Sequence, residues 1–243
     1  MFFHPRRQWK QGDSLLSDHQ DIIISVDSSI GQLMDGYRRH PFRFFTENDI
    51  LMELGRILHQ NLPLTRSNDI MGNLIDIVHT EYPTPFRCDM SGHRFVLKGE
   101  DDVTSKGGRF KRGHYDLLVL NPDLIERSSF NDVRGQDYSS FCRKVSGSLM
   151  ESSPLALYGL ELNFIRRSLR SMRGVENIVR LIKQDHMKLL ATRSIPGLIA
   201  KIRSLVFFAP GSLEDPPCGT KELETIIKGC GGEDEELSVI FPA

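Results

Sequence analysis

No apolar run in the sequence approaches the ~20 residues needed to cross a bilayer. The opening MFFHPRRQWKQGD also lacks the apolar stretch of roughly 7 to 15 residues that a secretory signal requires. Both absences set the expectation of a cytoplasmic protein without a membrane partner. Cys88, Cys142, Cys218 and Cys230 form no C-x-x-C pair, which removes zinc knuckles and thioredoxin-like chemistry and leaves reduced thiols as the simple reading. The histidines, His79 and His114 among them, match no H-E-x-x-H or zinc-finger spacing, and there is neither a Gly-rich phosphate loop nor a G-x-S-x-G elbow. NTPase, serine hydrolase and dinucleotide-dependent functions therefore have no support. A net charge of -1 argues against a uniformly basic nucleic-acid binder, so any such role must rest on local clusters.

What is present is ordinary globular composition, 39% hydrophobic and 26% charged, over 243 residues without repeat or proline-rich hinge. One α/β domain is expected, with a core at about 46–210, an N-terminal extension at 1–45 and a C-terminal extension at 211–243. In the first extension IIIS (22–25) reads as a short strand and IGQLMDGYRR (30–39) as a short helix. Thr46 followed by Asp49 is a capping pattern, and Ile50, Leu51, Leu54, Ile57 and Leu58 recur at helical spacing, predicting a helix over 47–60. NLIDIVHTEYP (73–83) predicts a strand stopped by Pro83, with Ile77, His79 and Glu81 on one face. A polar, glycine-containing insertion at 88–112 is expected to form a mobile loop or loose hairpin. GHYDLLVLNP (113–122) is apolar on both faces and so belongs in the middle of a sheet. Further elements are a helix around Tyr138 to Val145, a strand at 155–165, a long helix at 173–193, a strand at 204–210, a short helix at 221–228 and an edge strand at 237–241.

Two acids interrupt these apolar strands: Asp116 in YDLLVL and Glu161 in LYGLELNF. A carboxylate is costly to bury unless it is paired or metal-bound, which makes both more informative than any surface acid. The order helix, three strands, helix, strand, with acids on the second and third strands, resembles the PD-(D/E)XK nuclease superfamily. That resemblance implies a restriction-endonuclease-like αβββαβ core, a mixed central sheet flanked by helices. It also implies a metal-dependent nuclease that hydrolyses phosphodiester bonds of nucleic acid, with DNA the expected form. Asp116 and Glu161 would ligate Mg²⁺ or Mn²⁺, the hard cations that suit carboxylate ligands.

In such nucleases an E-x-K lysine accompanies the second acid, and Asn163 stands at that position here. Lys183 is the first candidate to replace it, one turn after Val179 beside the apolar face of its helix. Lys188 is second and expected to point further toward solvent. Glu47, at the start of the first core helix, is a further catalytic candidate; the competing reading is that it complements the helix dipole. Glu81 is a candidate third metal ligand, or else a solvated acid at a strand end. Asp185, near the apolar arc between Ile182 and Leu189, supports the site or makes an ordinary salt bridge.

Basic residues gather on both sides of the two acids. Lys106, Arg109, Lys111 and Arg112 enter the Asp116 strand, while Arg166, Arg167, Arg170 and Arg173 leave the Glu161 strand, and phosphate contacts would explain the clustering. A catalytically inactive nuclease-fold module for nucleic-acid binding or assembly is the alternative, favoured by Asn163. A third reading, a structural protein whose acids merely pair with arginines, predicts no metal affinity. A homodimer is compatible with any of them.

Overall fold

The computed structural model describes residues 14–89, 98–99, 110–133, 154–194, 197–214, 216–229 and 236–243, with backbone alone at 14–18, 85–89, 98–99 and 110–112. The expected 88–112 insertion and the expected helix around Tyr138 to Val145 lie largely or wholly outside these residues.

The described residues open with one 26-residue helix, α1 (Ser14–Arg39), where a strand and a separate helix were expected. Three successive isoleucines suggest a strand, but on a helix they take three bearings: Ile22 is buried, Ile23 half-buried and Ile24 exposed. Ile22, Val26, Ile30, Leu33 and Tyr37 recur every three or four residues and are all buried, so the stripe outweighs the weak β preference of single isoleucines. The helix is no appendage. Tyr37 donates its hydroxyl to the Phe208 carbonyl at 2.7 Å, and Asp27 accepts from the Tyr158 hydroxyl at 2.9 Å and from Lys201 Nζ at 2.6 Å.

Helix α2 (Glu47–Asn61) begins where the capping pattern places it: Asp49 N–H donates to Thr46 Oγ1, and the Asp49 carboxylate accepts from Thr46 N–H. A two-strand hairpin follows, β1 (Arg66–Asn68) with β2 (Leu74–Asp76). The main sheet has the order β4-β3-β5-β6-β7-β8, from β3 (Val78–Asp89), β4 (Lys98–Gly99), β5 (Phe110–Leu120), β6 (Ala156–Ile165), β7 (Ile199–Phe208) and β8 (Leu237–Ile240). Thus five strands and a two-residue edge make a mixed sheet, antiparallel from β4 to β6 and parallel from β6 to β8. Short helices α3 (Pro122–Glu126) and α4 (Phe130–Val133) follow β5, α5 (Met172–Arg193) makes the crossover from β6 to β7, and α6 (Thr220–Lys228) precedes β8.

Helices cover both faces of the sheet. Leu205 and Phe207 join the large core shared with α1 and α2, while Val206 and Phe208 join Val175, Ile182, Leu223 and Ile227 in a second one. That alternation is the period of two of a strand buried on both sides. Leu117 to Leu120 are likewise all buried, as the apolar run predicts for a central strand.

Pro83 does not stop its strand. β3 runs to Asp89, with Pro83 still opposite His114 and a register shift between Pro83 and Arg87. Among the described residues β4 pairs with β3 only at Phe86 and Arg87, so at Pro83 the outer side of β3 has no ladder bond for the missing N–H to interrupt.

Candidate active site

The site lies where two strands part. The β5–β6 ladder ends at the pair Leu117↔Leu160, beyond which β5 stays with β3 and β6 stays with β7. Asp116 and Glu161 are the next residue on each strand, level with one another at the mouth of the fork. On β7, Ser204 is level with Glu161, and on β3, Glu81 falls between the pairs Thr80↔Leu117 and Tyr82↔Tyr115, level with Asp116. Carboxylates take over two β6 amides that lose a β5 partner: Leu162 N–H donates to Asp116 Oδ2 at 2.6 Å, and Phe164 N–H donates to Glu47 Oε2 at 3.3 Å.

Glu161 is only 2% exposed, and its Oε2 is 2.7 Å from Lys188 Nζ. The same ammonium donates to the His114 carbonyl at 2.7 Å, so it bridges β6 and β5 across the fork. Glu161 Oε1 is buried without a hydrogen-bond partner.

The expected order of the two lysines is reversed: Lys183 is exposed, whereas Lys188 is 7% exposed and reaches the acids. The reason is helical phase. On α5, Ile182, His186 and Leu189 point into the sheet, and at 3.6 residues per turn Asp185, Lys188 and Thr192 share one flank of that stripe while Lys183 falls on the other. The fork lies on the Lys188 side. Thr192 Oγ1 donates to the Lys188 carbonyl at 2.9 Å and is 2.8 Å from the Tyr115 hydroxyl, which ties this flank of α5 to β5.

Burial pushes all the inner acids up. For Asp116 it outweighs the Leu162 amide and Lys188, with Glu47 and Asp185 adding to the rise, and the carboxyl is pushed up to about 7. Glu161 is raised well above the usual carboxylate range by complete burial, against the pull of Lys188. Glu47 and Asp185 rise for the same first reason; the Phe164 amide opposes the rise in Glu47, and Lys188 opposes it in Asp185. Burial alone would lower Lys188, yet Glu161 and then Asp185 outweigh it, so the amine stays firmly protonated. Asn163 lies close enough to Asp185 to favour its carboxylate, although its Nδ2 completes no hydrogen bond of ordinary geometry.

Asp116, Glu161 and Asp185 thus surround one buried ammonium, with Glu47 close to Asp116 and Asp185. A divalent cation suits that excess of carboxylate and the orphaned Glu161 oxygen. Among the described residues, however, no three His, Cys, Asp or Glu side chains stand as a ready cage. Glu81, the expected third ligand, is exposed, with a left-handed backbone (φ 54°), and stands outside the buried group while still adding to the rise in Glu47.

The basic residues expected to meet phosphates are only partly among the described residues. Arg166, Arg167 and Arg170 are exposed just past β6, and Arg166 donates to the Phe45 carbonyl at 3.4 Å and favours the Glu47 carboxylate. Lys111 and Arg112 lie on β5 by backbone alone, and Lys106 and Arg109 fall outside the described residues. No helix among the described residues is long and apolar enough to cross a membrane.

Sequence reasoning ranked Lys188 second and left Asp185 undecided; their i, i+3 spacing on one flank of the apolar arc was the available signal. It missed the Tyr115–Thr192 contact altogether, because nothing in the pattern pairs a strand tyrosine with a helix threonine. Compared with protein-family models, curated proteins and solved structures, the chain matches none, so function must be argued from its own side chains.

Proposed function

We propose that this chain is a metal-dependent nuclease with a restriction-endonuclease-like core, hydrolysing phosphodiester bonds of nucleic acid, with DNA the expected substrate. The observation that carries the reading is Lys188 Nζ at 2.7 Å from Glu161 and close to Asp116, in a chain with Asn163 at the usual lysine position. The order α2, β3, β5, β6, α5, β7 supports it as the αβββαβ core.

Asp116 and Glu161 would hold Mg²⁺ or Mn²⁺, with Glu47 and Asp185 adding negative charge around them. When bound, such an ion neutralises charge on phosphoryl oxygens and acidifies water. Lys188 remains an ammonium, so its part is to orient water and stabilise anionic charge by donating hydrogen bonds; it is not the base. The ion pair and the His114 carbonyl fix its position, and the Asp116–Leu162 bond fixes the carboxylate beside it. Arg166, Arg167 and Arg170 would take backbone phosphates.

The purified protein should cut DNA or RNA when Mg²⁺ or Mn²⁺ is supplied. Lys188→Ala should lower the rate by about 10²-fold or more, with binding retained, while Lys183→Ala should change neither. One observation favours the alternative of a non-catalytic binding or assembly module: Asp116 and Glu47 already serve as caps for β6 amides, and Lys188 is fully engaged. Binding without cutting under either ion would establish that alternative.

A further inference from the structure

Beside the fork, the turn between α1 and α2 carries the segment Arg38-Arg39-His40-Pro41-Phe42-Arg43-Phe44-Phe45. Its aromatic residues divide sharply. Phe44 is buried against Tyr37, with ring centroids 5.4 Å apart, whereas Phe42 is 78% exposed and Phe45 is 75% exposed. Two neighbouring phenylalanines so open to water lose the burial that normally places such rings inside.

Their backbone is fixed. Pro41 starts a single 3-10 turn through Arg43, and Phe45 N–H and Thr46 N–H both donate to Asp49 Oδ2 at 2.8 Å. The rings are therefore displayed on a held frame. Arg38, Arg39 and Arg43 are exposed in the same segment, Arg38 pairing with Asp35 at 3.1 Å, and the concave face between α1 and α2 is lined by Arg39, His40, Arg43 and Arg56 together with Glu53, which pairs with Arg56 at 2.9 Å. Phe45 also adjoins the candidate site: Arg166 reaches its carbonyl, and Glu47, two residues on, caps β6 inside the fork.

We infer that Phe42 and Phe45, with Arg39, Arg43 and Arg166, form a stacking and phosphate-binding platform that selects single-stranded nucleic acid and leads it to the fork. Bases in a single strand offer free faces to exposed rings, whereas a closed duplex does not, and the arginines flanking the rings match the charge of the strand. The inference rests on the nucleic-acid reading of the site and specifies its substrate.

Binding is measured with metal omitted, so that turnover does not enter. The probes are a labelled oligothymidylate of about 20 nucleotides and a blunt duplex of the same length. The single strand should bind more tightly than the duplex. Phe45→Ala and Phe42→Ala should each weaken single-strand binding by about tenfold, Phe45→Trp should retain it, and Phe45→Leu should behave like the alanine variant. Both positions are exposed, so thermal melting of each variant should match the parent. Equal affinity for duplex and single strand, unchanged binding in the alanine variants, or full function in Phe45→Leu would each overturn the platform. Metal-dependent cutting of duplex by the same preparation would then leave the nuclease reading standing, whereas single-strand binding that follows the rings without any cutting would sink the nuclease and keep the platform.

Discussion

Ionising Asp116 should destabilise the folded chain, and Asp116→Asn should remove that effect. The carboxyl titrates near 4 in an unfolded chain and at about 7 in the folded one, where burial is the first cause. The folded form holds the proton more tightly, so the stabilisation is fully present below about pH 4 and is lost as pH rises through 7. At 1.36 kcal/mol per tenfold, the change amounts to at most about 4 kcal/mol, reduced where water or side-chain movement relieves the buried charge. Asparagine keeps an oxygen to accept the Leu162 amide and cannot ionise. The two proteins should therefore unfold alike only near pH 4, and the variant should be more stable by about 1 kcal/mol at pH 5 and by roughly 2–4 kcal/mol at pH 8. Urea unfolding at pH 5, 6, 7 and 8 in chelator measures the difference directly; because the Asp116 charge adds to the rise in Glu161, that difference belongs to the coupled pair of acids. A wild-type minus variant difference that stays flat from pH 5 to 8 would refute the reasoning. Adding Mg²⁺ at pH 8 should close the gap by stabilising the parent, because a cation binds the ionised acid.

Lys188→Met should cost about 3–5 kcal/mol at pH 8, where Glu161 is left buried without its partner, and less at pH 5; Lys183→Met should stay within about 0.5 kcal/mol in chemical denaturation. Tyr37→Phe should cost about 1–3 kcal/mol by leaving the Phe208 carbonyl without its hydroxyl donor, visible as a lower urea midpoint. A Cβ at Gly159 would run into Ile199 Cδ1, the free end of a side chain that must turn aside, so Gly159→Ala should destabilise by about 1 kcal/mol. Adding Ile199→Val, which deletes that methyl, should recover part of the loss, and strict additivity in a double-mutant cycle would count against the clash.

How much of the fold was legible depended on whether one period dominated a segment. α2 combined a capping box with an i, i+3, i+4 stripe, and β5 was apolar on both faces; each was readable because every local signal agreed. At 22–25 the signals conflicted. IIIS is too short to separate strand from helix, and only the continuation through Val26, Ile30, Leu33 and Tyr37 shows the helical period. Pro83 misled for another reason: its cost depends on whether its side of the strand carries a ladder bond, which is a property of the neighbouring strand and not of the segment itself.

The same distinction separates the two halves of the candidate site. Asp116 and Glu161 could be found in the sequence because each breaks an apolar run and so declares a desolvated charge that something must offset. The partner that offsets it carries no comparable mark, since a lysine on an amphipathic helix is unremarkable wherever it falls. Asn163 removes the cation from β6 itself, and Glu161, at 2% exposure, cannot do without one. The offsetting charge must then come from whichever element packs over β6, and α5 makes the crossover. Which of its lysines serves depends on the rotation of α5 against the sheet, which Ile182, His186 and Leu189 set by pointing inward. Once that stripe is fixed, Asp185 and Lys188 fall on the fork side together, and Glu161 first, then Asp185, hold the ammonium charged despite its burial.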